Sequence, residues 1–186
     1  MKVIVLFKNG YEEIEALAPV DVFRRANIPC DLVGMDSIEV TSSHGITVKM
    51  DKVFDEACLD ADMVVLPGGL PGATNLRDDD RVIDLLKKFN EQGKWISAIC
   101  AGPISLEKAG VIKGKVFTCS PGFETQIPSG IYQEALVQKD GNIITGKGPL
   151  AAFPFAYTLA EALGADVSNL KQGMQYNYLK NHNEEL

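Results

Sequence analysis

The stretch WISAICAGP, residues 95–103, changes character at Cys100. The five residues before the cysteine form a mainly apolar run of strand length. Ala101 and Gly102 are small enough for a tight turn, and Pro103 suits the first turn of a helix, where its missing N–H costs nothing. A reactive side chain between small neighbours, at a strand-to-helix turn, is the pattern of a nucleophile elbow.

Two interpretations of Cys100 follow from this placement. A thiol at a helix N-terminus lies among aligned N–H dipoles, which lower its pKa and make it a nucleophile. Alternatively, the residue is a buried structural cysteine, since cysteine is among the most frequently buried residue types. Spacing alone leaves both interpretations open.

Similar apolar runs flank this stretch and alternate with helical patterns. Strands are predicted at 3–7, 30–34, 63–66, 95–99, 116–119, 135–138 and 142–145, and a hairpin at 38–50. Helices are predicted at 11–27, 79–90, 105–109 and 150–163, with helix or coil at 168–179. Pro19 is expected to kink or split the first helix. Continuous apolar strands alternating with helices predict an α/β sandwich, with a mainly parallel sheet and helices on both faces.

Length and composition restrict the class of protein. The 186 residues suit a single domain at 1–180 followed by a polar tail at 181–186, and 46% hydrophobic residues suffice for a core. A net charge of −7 argues against nucleic-acid or anionic-membrane partners. The four cysteines lack zinc-site spacing and do not suit a disulfide scaffold, so we expect no metal, no cofactor and a cytoplasmic location. The apolar run at the N-terminus is too short for a signal peptide.

The loop LPGG, residues 66–69, follows a predicted strand. Loops at the carboxyl ends of parallel strands form the sites of doubly wound sheets. Gly68 and Gly69 are therefore candidates to present backbone N–H groups to an anion beside the thiol. A phosphate-binding loop is the rival, but the Gly-Lys-Ser/Thr ending is missing, and a plain turn is the third interpretation.

Carboxylates open the first predicted helix at Glu12, Glu13 and Glu15. Helical spacing places Glu15 toward the apolar side, where burial would raise its pKa and allow it to exchange a proton with the thiol. Glu12 and Glu13 suit a solvated first turn that favours the helix dipole. The chain has only two histidines, His44 and His182, and neither is well placed for a Cys–His hydrolase.

Taken together, several stretches resemble the ThiJ/PfpI superfamily, specifically its DJ-1 branch. They are GYEEIEALAPVDVFRRA at 10–26, LPGG at 66–69, AICAGP at 98–103 and ITGKGPLAAFPFAYTLAEAL at 144–163. The resemblance extends over about residues 1–178. It implies a flavodoxin-like three-layer sandwich and a homodimer, with Cys100 as the reactive cysteine and a protonated Glu15 bonded to it. It further implies backbone oxyanion donors at Gly69 and Ala101.

This sequence departs from the family pattern at three places. Ala101 stands where PfpI-type peptidases have a histidine after the cysteine, so peptidase activity is disfavoured. Ile131, in SGIYQ, stands where the DJ-1 branch often has a histidine, which predicts slow turnover. His44 replaces an arginine of the hairpin, and His44 and Arg25 are the candidates for anion contacts at the dimer seam.

Three functions are compatible with these residues. The first is a protein of oxidative or carbonyl stress protection, in which peroxide oxidises Cys100 to a sulfinic acid. The second is a slow, glutathione-independent glyoxalase or deglycase acting on methylglyoxal or its adducts. The third is a chaperone-like binding dimer in which the cysteine is incidental. Small reactive carbonyls, peroxide and a second copy of the chain are the expected partners.

Overall fold

The computed structural model describes residues 1–182, so most of the predicted polar tail, residues 183–186, lies outside the described residues. The strands are β1 Val3–Phe7, β2 Cys30–Gly34, β3 Glu39–Thr41, β4 Thr47–Lys49, β5 Lys52–Val53, β6 Met63–Leu66, β7 Trp95–Ile99, β8 Val116–Phe117, β9 Ile131–Tyr132, β10 Val137–Asp140 and β11 Ile143–Gly146. The α-helices are α1 Glu13–Arg25, α2 Gly72–Arg77, α3 Asp80–Glu91, α4 Ile104–Lys108, α5 Ala152–Ala162, α6 Ser168–Gly173 and α7 Tyr176–Asn181. Short 3₁₀ turns occur at Glu56–Asp60, Phe123–Gln126 and Pro149–Ala151.

Seven strands form one sheet in the order β10-β11-β7-β6-β1-β2-β5. All neighbours are parallel except β10, which runs antiparallel to β11 at one edge. The strands β3 and β4 form a separate antiparallel hairpin, and β8 pairs with β9. The mainly parallel sheet and the flanking helices match the predicted three-layer α/β sandwich.

The core is divided by the sheet into two apolar layers, because successive strand residues point to opposite faces. Along β1, Ile4 and Leu6 enter the layer that contains residues of α2, α3 and α4. Val3, Val5 and Phe7 enter the layer under α1 and α5. Every residue of β1 is buried, as expected for a central parallel strand covered on both faces.

Most predicted elements lie within a few residues of their predicted positions, and two details of the helices differ. Pro19 lies inside α1 without splitting it, since Glu13–Arg25 is a single helix. The Gly- and Pro-rich segment after β6 contains the helix α2, which we did not predict. Among residues 1–182, no helix has both the length and the apolarity needed to cross a membrane.

A network of ion pairs lies beyond the C-terminal ends of β1 and β2. Asp79 caps α3 by accepting a hydrogen bond from the N–H of Arg81 at 3.0 Å. Its carboxylate also lies 2.9 Å from Nζ of Lys8 and 2.6 Å from the Arg81 guanidinium. Although burial opposes its ionisation, the hydrogen bonds from Arg81 and Lys8 lower the pKa of Asp79 to about 2.

We predict that Asp79→Asn lowers the free energy of unfolding by about 2 kcal/mol at pH 7, because two cations lose their buried partner. The folded pKa lies below the unfolded value, so this contribution is complete above about pH 5 and disappears as the pH falls toward 2. Urea denaturation followed by Trp95 fluorescence at several pH values measures both effects.

The matched control for this prediction is Asp78→Asn, since Asp78 is exposed and pairs only with the adjacent Arg77. We expect that variant to lie within about 0.5 kcal/mol of the wild type. Equal losses in the two variants, or a loss at Asp79 that persists at pH 2, would contradict the assignment.

Candidate active site

Cys100 follows β7 directly and adopts a left-handed backbone conformation with φ of +63°. This conformation is unfavourable for a residue with a Cβ and is held by hydrogen bonds on both sides. The Cys100 N–H donates to the carbonyl of Gly146 at 2.9 Å, and the Ser120 N–H donates to the carbonyl of Cys100 at 3.0 Å. The structure therefore contains the sharp turn that the sequence pattern predicts.

Two glycines allow the chain to pack around this turn. A Cβ on Gly68 would lie 2.5 Å from Oε2 of Glu15 and 2.7 Å from the Cβ of Cys100. A Cβ on Gly102 would lie 2.7 Å from the carbonyl oxygen of Leu66. The loop after β6 and the turn after β7 can approach this closely only because both positions lack a side chain.

Glu15 lies on α1 with no exposed surface. Its Oε2 accepts a hydrogen bond from the Gly68 N–H at 2.9 Å, and its own N–H donates to the side chain of Glu12 at 2.7 Å. Its Oε1 is buried and has no hydrogen-bond partner within residues 1–182. An unpartnered buried carboxyl oxygen is costly unless it carries a proton or faces a donor.

The Glu15 carboxyl and the Cys100 thiol affect each other's ionisation. Burial raises the pKa of Glu15 to about 7. While Glu15 is charged, burial, the charge of Glu15 and the hydrogen bond to it raise the pKa of Cys100 to about 12. Since α4 begins only at Ile104, the expectation that a helix N-terminus lowers the thiol pKa is wrong for this geometry.

The distribution of donors indicates which member of the pair carries the negative charge. The Ala101 N–H and the Ser120 hydroxyl both interact with the Cys100 sulfur and favour its thiolate. The Glu15 carboxyl receives one N–H, on Oε2, while Oε1 receives none. Protonation of Glu15 removes the repulsion between the two groups, so we expect the shared negative charge on the sulfur.

The predicted backbone donors have different roles in the structure. The Gly68 N–H is occupied by Glu15, so Gly68 positions the carboxyl and does not face an anion. Gly69 has a φ of +85°, and in the described part of the chain neither its N–H nor that of Ala101 donates to a backbone carbonyl. The Ala101 N–H already interacts with the Cys100 sulfur, so among the three predicted donors the Gly69 N–H alone has no acceptor within residues 1–182.

Ser120 is a residue of the site that the sequence analysis missed. Its backbone bonds the carbonyl of Cys100, and its hydroxyl lowers the pKa of the thiol. The family resemblance drew attention to Ile131 as the position of a missing histidine, but Ile131 lies in β9 with an exposed side chain. The only sequence signal for Ser120 is a small polar residue before Pro121.

The two candidates for anion contacts at a dimer seam lie apart in the structure. His44 bonds the Glu13 carboxylate at 2.9 Å, at the start of α1. Arg25 ends the same helix and pairs with Asp21 at 2.9 Å, so it lies about 18 Å along the axis from Glu13, the partner of His44. His182 bonds the carbonyl of Tyr178, so neither histidine of the chain serves as a base for Cys100.

One cluster has metal-ligating groups in close proximity, since single ligand atoms of Glu12, Glu13 and His44 lie within 4.8 Å of one another. These groups have partners already. Glu12 caps α1 through the Glu15 N–H, and Glu13 pairs with His44. The cluster is thus explained by helix capping and by an ion pair.

Comparison with known proteins gives a consistent result. The model of the DJ-1/PfpI family matches residues 1–162. The Parkinson disease protein 7 homolog of Danio rerio is 40% identical over 174 residues, which cover 90% of this chain and 92% of the relative. A deglycase of Thermococcus kodakarensis is 31% identical over 152 residues, 80% of this chain and 91% of the relative. The crystal structure of Drosophila melanogaster DJ-1beta superposes with a TM-score of 0.89 at 35% identity, covering 94% of this chain and 98% of the other.

The donor arrangement predicts the pH dependence of Cys100 alkylation by iodoacetamide. We expect an apparent thiol pKa below that of free cysteine, about 8.5. Glu15→Gln should move it upward by no more than about one unit, because a neutral amide donor replaces a neutral acid donor. Mass spectrometry of the Cys100 peptide across pH 5–10 provides the measurement.

A negative charge on Glu15 instead of Cys100 would give the opposite result in this experiment. If Glu15 holds the charge, the thiol of the wild type titrates far above pH 8.5, and Glu15→Gln lowers its pKa by several units. Gln92→Glu, a change of charge remote from Cys100 at the end of α3, is the control for a general effect of charge on alkylation.

Proposed function

Since the chain belongs to the DJ-1/PfpI family, we propose that it is a cytoplasmic protein of oxidative or carbonyl stress protection that acts through the thiolate of Cys100. The observation that carries this proposal is the buried Glu15 carboxyl in contact with the Cys100 thiol, whose Oε1 has no hydrogen-bond partner among residues 1–182. A carboxylic acid at that point can donate its proton to a thiolate, or to an oxygen atom added to the sulfur. In this proposal, the N–H groups of Gly69 and Ala101 receive a second oxygen.

Oxidation by peroxide is the chemistry that these groups suit best. The thiolate attacks one peroxide oxygen, the O–O bond breaks, and a sulfenate forms while the peroxide is reduced to water. A second peroxide molecule oxidises the sulfenate to the sulfinate and is itself reduced to water. The product has two oxygens and one negative charge, which the acid of Glu15 and the two amides can accommodate.

The other three cysteines differ from Cys100 in exposure. Cys30, Cys58 and Cys119 are buried, whereas Cys100 is half-buried. Burial raises the pKa of Cys30 and of Cys119 to about 12, as it does for Cys100 beside a charged Glu15, so greater exposure and the buried Glu15 acid are what distinguish Cys100. Selective oxidation at a single position follows from this difference.

We predict that mild hydrogen peroxide adds two oxygen atoms to Cys100 while the other three residues remain thiols. Peptide mass spectrometry over a peroxide titration measures this. In Glu15→Ala, which removes the proton donor, we expect slower sulfinate formation by about tenfold or more. Cys119→Ser is the control variant and should leave oxidation of Cys100 unchanged. Oxidation spread evenly over the four cysteines would refute the proposal.

A second candidate function is favoured by the same proton donor. Attack of the Cys100 thiolate on the aldehyde carbon of methylglyoxal forms a hemithioacetal, and the alkoxide takes up a proton. Transfer of the hydrogen from that carbon to its neighbour, with Glu15 moving protons, gives a thioester that water hydrolyses to lactate and the free thiol. The relative from Thermococcus kodakarensis is named a deglycase, which supports reactive carbonyl adducts as a substrate class.

We predict slow formation of lactate from methylglyoxal without added glutathione, because Ser120 and not a histidine accompanies the thiol. Cys100→Ala should abolish the activity, and Ser120→Ala should reduce it severalfold by raising the thiol pKa. Lactate is measured enzymatically. Ser129→Ala, which removes a hydroxyl bonded to Glu107, is the control for a general loss of structure. Equal activity in wild type and Cys100→Ala would exclude this mechanism.

The proposal extends to the oligomeric state and the domain organisation of the protein. We infer a homodimer of single-domain chains, each with its domain at residues 1–180. Two large apolar side chains support an interface near the start of α1 and the β3–β4 hairpin, since Ile14 and Ile46 are each about half exposed. The chaperone-like alternative requires an incidental cysteine, and the strained turn together with the Glu15 acid argues against it.

A further inference from the structure

The short strand β8 leads into the Cys100 site, because Ser120 follows its last residue, Phe117, by three positions. Along one side, β8 pairs in parallel with β9, whose residue Ile131 donates its N–H to the carbonyl of Lys115 at 2.8 Å. Alternate N–H groups of a strand point to opposite sides, so the N–H groups of β8 that face away from β9 need other acceptors.

Two side chains supply those acceptors. The Val116 N–H donates to the carboxylate of Asp140 at 2.9 Å. The Thr118 N–H, just beyond β8, donates to the hydroxyl oxygen of Thr145 at 2.9 Å. Thr118 and Thr145 have no exposed surface, so water does not compete for this second bond. Because a buried N–H without an acceptor costs free energy, the Thr145 hydroxyl ties the end of β8 to β11.

Thr145 occupies a position in β11 that is joined to both parts of the Cys100 site. The carbonyl of the next residue, Gly146, accepts the Cys100 N–H at 2.9 Å. β11 lies between β7 and β10, and Thr145 is opposite Ala98 in the parallel register with β7. Two consecutive residues of a strand inside the sheet therefore hold the cysteine turn and the segment that begins at Thr118.

The segment from Thr118 to Ser120 has a second anchor at the cysteine. The Ser120 N–H donates to the carbonyl of Cys100 at 3.0 Å, and the Ser120 hydroxyl interacts with the sulfur. The bond from Thr118 to Thr145 fixes the position of this segment relative to the sheet. A hydrogen bond weakens steeply as its distance and angle depart from the optimum, so the placement of the Ser120 hydroxyl determines how well it stabilises the thiolate.

We propose that Thr145 is a positioning residue of the Cys100 site: its hydroxyl oxygen anchors the segment from Thr118 to Ser120 and so places the Ser120 hydroxyl against the sulfur. Thr145 acts through Ser120, whereas Ser120 acts on the sulfur directly. The inference rests on the proposed function, in which the Cys100 thiolate is the reacting group. It adds to that function a residue of the sheet that determines how readily the thiolate forms.

The test measures the pH dependence of Cys100 alkylation by iodoacetamide in variants of the full-length protein. Ser120→Ala removes a hydrogen bond to the thiolate, and we expect the thiol pKa to rise by about one unit. Thr145→Val replaces the hydroxyl with a methyl group of similar size, and we expect a rise of about half a unit. Thr145→Ser keeps the hydroxyl and should retain the wild-type value.

A double variant shows whether Thr145 acts through Ser120. In the protein with both Ser120→Ala and Thr145→Val, the thiol pKa should equal that of Ser120→Ala alone, because the hydroxyl that Thr145 positions is already absent. A purely structural role for Thr145 would lower the stability of the protein and leave the thiol pKa where it is in the wild type.

Two matched controls separate this effect from a general loosening of the structure. Ser97→Ala removes another buried hydroxyl, which donates to the carbonyl of Val64 at 2.7 Å. Asp140→Ala removes the other side-chain acceptor of β8, at the end of the strand away from Ser120. Both variants lose a comparable hydrogen bond and should keep the wild-type thiol pKa.

Three results would overturn the inference. The first is a wild-type thiol pKa in Thr145→Val while Ser120→Ala raises it, which would show that Ser120 is placed without Thr145. The second is a wild-type pKa in Ser120→Ala, which would show that the Ser120 hydroxyl does not stabilise the thiolate. The third is an equal rise from Thr145→Val with and without the Ser120 hydroxyl, which would show that Thr145 affects the sulfur by another route, such as Gly146.

Amide hydrogen exchange of the wild type tests the anchor even where Thr145→Val does not fold. We expect the Thr118 amide to exchange as slowly as the amides of β11, and exchange at the rate of exposed loop amides would overturn the inference. Failure of the proposed function gives a different result. A Cys100 that resists hydrogen peroxide still has a thiol pKa, which each variant shifts or leaves unchanged.

Discussion

The backbone of Cys100 is held in a left-handed conformation at the end of a buried central strand, and the rest of the site is arranged around it. A non-glycine residue in that region costs about 1 kcal/mol or more, so the surrounding structure has to impose it. Gly146 and Ser120 hold the cysteine from the two neighbouring segments. The turn projects the sulfur out of the sheet, toward the loop after β6 and the first turn of α1.

The close approach that this geometry requires also buries two ionisable groups together. Neither the thiolate of Cys100 nor the carboxylate of Glu15 is well solvated, and two negative charges at this distance repel each other. The pair is therefore stable with one proton and one charge. Gly68 gives its N–H to the carboxyl, whereas Ala101 and Ser120 donate to the sulfur, so we propose that the local dipoles favour a negative charge on the sulfur. Reactivity then depends on the arrangement of donors and not on a helix dipole.

The sequence was sufficient to predict most of the fold because the central strands are continuous apolar runs. The strands β1, β2, β6 and β7 were predicted with their observed bounds. The helix α2 was missed because its glycine and its neighbouring prolines are unfavourable for helices, and packing against the adjacent elements overrides that preference. Cys100 and Glu15 were recognisable because each stands in a local pattern. Ser120 was not, since only the fold brings a residue twenty positions later to the thiol, and the raised pKa values depend on burial that local spacing does not reveal.

The antiparallel strand β10 differs in chemistry from the parallel strands at the end of the sheet where Cys100 lies. Parallel strands end at this edge, and the loops that follow them carry polar backbone groups to Cys100. β10 runs the other way, so its first residue, Val137, lies opposite Gly146 at the end of β11. It therefore contributes the apolar start of a strand, preceded by Leu136, whose carbonyl accepts the Lys147 N–H at 2.9 Å. The residue pair Gly146 and Lys147 thus connects the Cys100 turn to the start of β10, since the Gly146 carbonyl accepts the Cys100 N–H and the Lys147 N–H donates to Leu136. Because strand direction fixes this arrangement, it does not depend on the charge state of the cysteine.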